Sequence, residues 1–138
     1  MLLLVTAMAM PSVAWAEPYY ENGFAKDGSY QPATLTTGQY DINGDGTKDE
    51  VYEIGNAGQL YWFAALVNGE LEGVSQNTSA NAVLTADITV NNDVLYSDGT
   101  LNENYSNFIT WTPIGYFESY TGTFDGQGHT ISGLYFFF

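Results

Sequence analysis

Asn81 to Val90 read NAVLTADITV, and the fold turns on this stretch. Ala82, Leu84, Ala86, Ile88 and Val90 fall on alternate positions, the two-residue period of a strand with one buried face, which leaves Asp87 on the other. Two later blocks share this character. Phe108 to Ile114 (FITWTPI) is apolar and β-prone, and Gly122 to Leu134 (GTFDGQGHTISGL) reads as two short strands around a Gly-rich corner. Residues 91 to 107 lie between and are rich in turn formers (Asn-Asn-Asp, Ser-Asp-Gly, Asn-Glu-Asn), too polar to pack. Leu84 to Ile109 is 25 residues and Ile109 to Ile131 is 22, near the length of one coil of a large parallel β-helix. The expected fold is therefore mainly β, the start of such a solenoid. An antiparallel β-sandwich is the alternative, because it also spaces short strands by turns. The apolar end, Leu134 to Phe138 (LYFFF), has no polar cap and predicts a further coil laid upon it.

Upstream the pattern changes. Leu60, Phe63, Ala64 and Val67 recur at helical spacing after Asn56, an N-cap residue with Gln59 at the capping-box position, and Asn68-Gly69 supplies a stop. An amphipathic helix over about 56–68 follows, positioned to cap the open end of the solenoid. Val51 to Ile54 (VYEI) before it is a short strand. Glu17 to Tyr40 shows no sustained period and reads as a loop-rich leader with at most one short strand. Residues 1 to 16, MLLLVTAMAMPSVAWA, form an apolar run with a Pro-Ser break and an Ala-Trp-Ala site before Glu17, the pattern of a secretory signal peptide lacking the usual basic start. The expected organisation is a signal peptide over 1–16, a leader with an acidic turn over 17–50, and the capping strand, helix and first coils over 51–138. The expected location is secreted or on a bacterial cell surface, with no stable membrane insertion after cleavage.

Composition narrows the function. Two Lys, no Arg and 16 acidic residues give a formal charge of −14, which leaves no basic surface for a polyanion and excludes nucleic acid as a partner. With 45% apolar, 16% aromatic and 13% charged residues, the chain holds too much buriable surface for an acidic disordered tail. It has no Cys and one His, so disulfides, thiolate metal sites and a His-rich zinc site are ruled out.

The best site motif is the acidic turn DINGDGTKD, Asp41 to Asp49. Asp41, Asn43 and Asp45 place oxygen ligands at alternate positions, Gly46 permits a sharp bend, Thr47 offers its carbonyl and Asp49 closes the loop. The ion this set fits is Ca²⁺. An EF-hand-type loop would need a bidentate acid at its twelfth position, which is Tyr52 here, so the motif is closer to the short DxNxDGxxD loops between strands. Asn43-Gly44 and Asp45-Gly46 are also favoured turn dipeptides, and a solvated, metal-free turn remains the competing reading.

Asp87 and Asp125 invite comparison with the paired carboxylates of polysaccharide-cleaving β-helix enzymes, but each fits a structural task better, Asp125 in a turn and Asp87 bonding a neighbouring coil. Tyr61, Trp62, Trp111, Tyr116, Tyr120 and Tyr135 would make an aromatic platform for sugars if exposed; core packing is the expected role for most of them.

The order YEIGNAGQLYWFAALVN, AVLTADITV, WTPIG, YTGTFDGQGHTISGLYF resembles the opening module of large secreted bacterial surface proteins that carry GLUG-type repeats on a right-handed β-helix. The resemblance runs from Tyr52 to Phe136, and FDGQGHTISGL is its most diagnostic block. It departs from the family pattern in that no GLUG repeat follows. What it implies is a non-catalytic, adhesin-like solenoid, right-handed, that meets a host or glycan ligand through later repeats. The alternative is the N-terminal part of a polysaccharide-degrading β-helix enzyme whose acidic residues lie in further coils.

Overall fold

In the computed structural model, residues 20–137 are described. The signal-peptide assignment to 1–16 lies outside them. Asn56 is extended (φ −152°, ψ 172°) and its Oδ1 accepts from Gln59 N at 2.9 Å, which satisfies one amide that no helical carbonyl can reach. Helix α1 runs from there over Ala57–Asn68 and ends at Gly69 in the left-handed conformation. Gln59 reaches back to Gly55 N at 2.8 Å, one residue earlier than a reciprocal capping box would place it.

Eight short strands surround the helix: β1 Tyr20–Glu21, β2 Phe24–Ala25, β3 Thr34–Tyr40, β4 Asp49–Ile54, β5 Ala82–Leu84, β6 Ile88–Thr89, β7 Phe124–Asp125 and β8 Ile131–Ser132. The chain is mainly β with one α-helix. The largest sheet has the order β3-β4-β5-β7, a second pairs β6 with β8, and β1-β2 form a small hairpin. β3 meets β4 antiparallel, but β4-β5, β5-β7 and β6-β8 are all parallel. Beyond Ala80 the strands therefore stack in one direction, with Tyr52, Ala82 and Phe124 in one column and Ile88 on Ile131 in another. A further parallel bridge joins Thr110 to Tyr135.

Three expectations need correction. The stretch 81–90 is not one alternating strand: β5 is buried at all three positions, Thr85 to Asp87 turn a corner, and β6 begins a new direction at Ile88. A period of two cannot distinguish an unbroken strand from two strands either side of a bend. The intervals of 25 and 22 residues are not the stacking interval of these strands either. The hydrogen bonds between successive levels join residues 42 or 43 apart, because the 91–107 insert lies within the coil. The leader, read as loop-rich, supplies β1, β2 and the seven-residue β3. β3 is mostly exposed and so shows no apolar period; its pairing with β4 makes it a strand.

The core lies between α1 and the parallel sheet. Phe63, Leu60, Val67, Ile54, Ala82, Leu84 and Ile88 are buried in one cluster, and Tyr52, Trp111, Tyr120 and Phe124 pack on its margin. Burying a side chain the size of Phe63 is worth roughly 1.5–3 kcal/mol. Every residue of α1 except Trp62 is buried, so the helix is enclosed rather than amphipathic. The sequence pattern missed this because the second cover comes from the leader. Phe24 and Tyr30 stand edge-on to Tyr61 at 5.2 and 5.7 Å, and Trp111 meets the same ring at 5.1 Å. Gly58 N donates to Asn22 O at 2.8 Å, and Gln59 Nε2 donates to Pro32 O at 3.2 Å, which stitches the leader to the first turn of the helix.

Candidate functional site

The acidic turn joins β3 to β4, and the antiparallel pairing of Tyr40 with Asp49 closes its base. Within it the side-chain oxygens bend the backbone round themselves. Asp41 Oδ1 accepts from Gly44 N at 2.8 Å and Asp45 N at 3.1 Å, and its Oδ2 accepts from Gly46 N at 2.9 Å. Asn43 Oδ1 accepts from Asp45 N at 2.9 Å, Asp45 Oδ1 from Thr47 N at 2.8 Å, and Asp49 Oδ2 from Ile42 N at 3.0 Å. Gly44 and Gly46 have φ of 76° and 90°, a backbone that a Cβ would strain, and this lets successive amides face Asp41. Thr47 also donates its hydroxyl to Asp45 Oδ1. Those Thr47 bonds stabilise the ionised form and hold the Asp45 carboxyl below its ordinary pKa.

All five sequence-derived positions, Asp41, Asn43, Asp45, Thr47 and Asp49, thus lie on one bend. The donor set is oxygen only, and an oxygen accepting one amide keeps a second lone pair, so its chemistry fits a hard cation such as Ca²⁺. The carboxylates are turned onto backbone amides, and among the described residues no three acidic or imidazole side chains form a ready metal cage.

Asp87 ties two levels of the stack together. Its Oδ1 accepts from Thr130 N at 3.0 Å and lies 3.3 Å from His129 Nδ1. The Thr130 amide first, then His129, hold its pKa below the ordinary carboxylate value. Asp125 Oδ1 accepts from Gln127 N at 2.9 Å and shapes the Gly-rich corner. Both acids do the structural work expected from sequence.

The aromatic set divides. Tyr61 is buried, Trp62 leans on Tyr52 at 5.4 Å, Trp111 packs on Tyr61, and Tyr120 donates its hydroxyl to Ala80 O at 2.7 Å. These four belong to the core or its margin. Tyr116 is exposed beside Phe117 and Phe136. Tyr135 joins Tyr105 and Phe108, two rings that sequence reasoning passed over because they sit at the end of a polar insert. The signal available was their spacing: aromatic residues at 105 and 108 in an otherwise turn-forming segment need a surface of their own.

Sequence reasoning also missed three asparagines that bracket the levels. Asn91 Nδ2 donates to Ile109 O at 3.0 Å and Gly133 O at 2.9 Å while its Oδ1 accepts from Ile109 N at 2.8 Å. Asn68 Oδ1 accepts from Gly115 N and Tyr116 N, and Asn81 Oδ1 from Thr123 N. Compared with models of protein families, with curated proteins and with solved structures, the chain matches none.

Proposed function

We propose that the chain is a non-catalytic, secreted or cell-surface adhesin-like module that caps and initiates a right-handed parallel β-helix, with a calcium-binding turn at its side. The observation that carries this reading is the parallel stacking of β4, β5 and β7 and of β6 on β8, with levels 42 or 43 residues apart. The stack is asymmetric. On one side β4 is covered by the antiparallel β3; on the other, β7 is an outer strand of its sheet. An outer parallel strand presents amides and carbonyls that can template another parallel strand. The resemblance to GLUG-repeat surface proteins agrees with this direction of growth, and glycan or host ligands would meet the later repeats.

In the calcium part of the reading, Asp41, Asn43, Asp45 and Asp49 supply side-chain oxygens and Thr47 its carbonyl. The ion supplies positive charge that offsets repulsion among three carboxylates in a chain of charge −14. The residues bend the loop before any ion arrives, which lowers the ordering cost of binding.

Replacing Phe63 by Asp tests the cap. Phe63 is fully buried between the helix and the rings of Tyr52, Tyr120 and Phe124. The variant is expected to expose the parallel sheet and aggregate in size-exclusion chromatography. A soluble, monomeric F63D would remove the reading. Calorimetry with Ca²⁺ on the chain and on Asp45→Ala tests the turn; heat in the first and not in the second is expected, and no heat in either ends the calcium assignment. Sequencing the N-terminus of the exported product checks location, with Glu17 the expected first residue.

A further inference from the structure

Tyr105, Ser106, Phe108, Thr110, Tyr135 and Phe137 line a cleft of about 340 Å³. That volume is at the lower end of the roughly 300–1,000 Å³ of small-ligand sites, enough for one or two sugar rings. The rings are partly open to solvent: Tyr105 is 47% and Phe137 71% exposed. They are also held in place. Tyr105 opens a short 3₁₀ turn, Tyr105–Asn107, that Phe108 closes by donating its amide to Tyr105 O. Tyr135 is fixed by its bridge to Thr110 and by Trp111 N donating to its carbonyl at 2.7 Å. The Phe108 ring stands edge-on to Tyr135 at 5.6 Å and Tyr105 tilts over it at 6.5 Å.

The charge of the cleft selects its ligand. The chain has 16 acidic residues, yet none lines this cleft, and no cation does either. Two other clefts, of about 370 and 330 Å³, each include a carboxylate, Glu21 beside Lys26 in one and Glu50 in the other. An uncharged groove of aromatic faces with a Ser and a Thr hydroxyl matches a neutral sugar, whose C–H face stacks on rings while its hydroxyls exchange hydrogen bonds. An anionic sugar would find no cation and would be repelled by the net charge of −14.

We propose that the Tyr105–Phe108–Tyr135–Phe137 groove binds a neutral glycan. The site belongs to this module itself, so it stands or falls separately from the capping role, which F63D tests. Calorimetric titration of the chain with cellohexaose, chitohexaose, mannohexaose and maltohexaose, with polygalacturonate as the anionic comparison, provides the test. Saturable binding of at least one neutral oligosaccharide is expected, with none to polygalacturonate. Tyr105→Ala and Phe137→Ala should each raise Kd about tenfold or more with unchanged melting temperature. Tyr116→Ala, which removes a different exposed ring, should leave Kd as it was. Absence of binding at millimolar oligosaccharide by the folded chain overturns the proposal, as does equal affinity in Tyr105→Ala. Sedimentation showing that Tyr105→Ala converts a dimer to a monomer would also overturn it, by assigning the groove to a second copy.

Discussion

Asn91 shows how much one side chain contributes to this stack. It is buried, and its amide makes three bonds, two to Ile109 and one to Gly133 on the next level. Asn91→Leu would leave the Ile109 amide and two carbonyls without their partner, at a cost of about 2–4 kcal/mol. Urea unfolding should show that loss as a lower midpoint with an unchanged slope. Tyr120 acts at the opposite end of the pH scale. Burial pushes its hydroxyl from 10.0 up to about 12, since a phenolate there would lose water and could not donate to Ala80 O. A raised folded-state value means this contribution is complete below pH 10 and disappears as the pH climbs towards 12. Tyr120→Phe should therefore flatten the alkaline fall in melting temperature over that window.

At the scale of elements, the contact between leader and helix is the tightest. A Cβ on Gly58 would fall 1.8 Å from Gly23 O, a backbone atom that cannot swing away. Gly58→Ala should push the β1-β2 hairpin off α1 and cost about 1–3 kcal/mol, read as a lower melting temperature and faster hydrogen exchange at Gly58 and Gln31. This close approach is invisible in sequence, where Gly58 is a poor helix former inside a helical pattern. The turn between β3 and β4 depends on pH in the other sense from Tyr120. Asp45 is held below its ordinary 3.8 by Thr47, so its contribution is present above that pH and is lost as acid protonates it. Amide exchange at Thr47 should therefore accelerate on acidification below about pH 4 relative to Asp45→Asn, which lacks the titrating group. Helix α1 itself was legible because Asn56, Gln59 and the apolar spacing act within a dozen residues. β3 was not, because its partner fixes it from a distance.

For the whole molecule, charge is the dominant unsatisfied term. A balance of −14 rests on two lysines, and the ion pair seen among the described residues is His129 with Asp87. Folding concentrates the acids, so salt should stabilise the chain. Raising ionic strength from about 0.01 to 0.1 M shortens the screening length from about 30 to 10 Å and should raise the melting temperature by several degrees. A fall instead would show that attractive pairs outweigh the repulsion.

Local chemistry determined much of this protein from the sequence alone: the helix and its caps, the acidic turn, the corner at Gly126 to Gly128, and the β character beyond Ala80. Each depends on residues close together in the chain, whose steric and hydrogen-bonding preferences act without the rest of the fold. The tertiary structure decided the 42- or 43-residue interval between levels, the enclosure of α1 by the leader, the asparagine brackets and the aromatic groove. These rest on contacts between residues tens of positions apart. A period of two or of 3.6 says which face of an element is apolar, but only packing says what covers it.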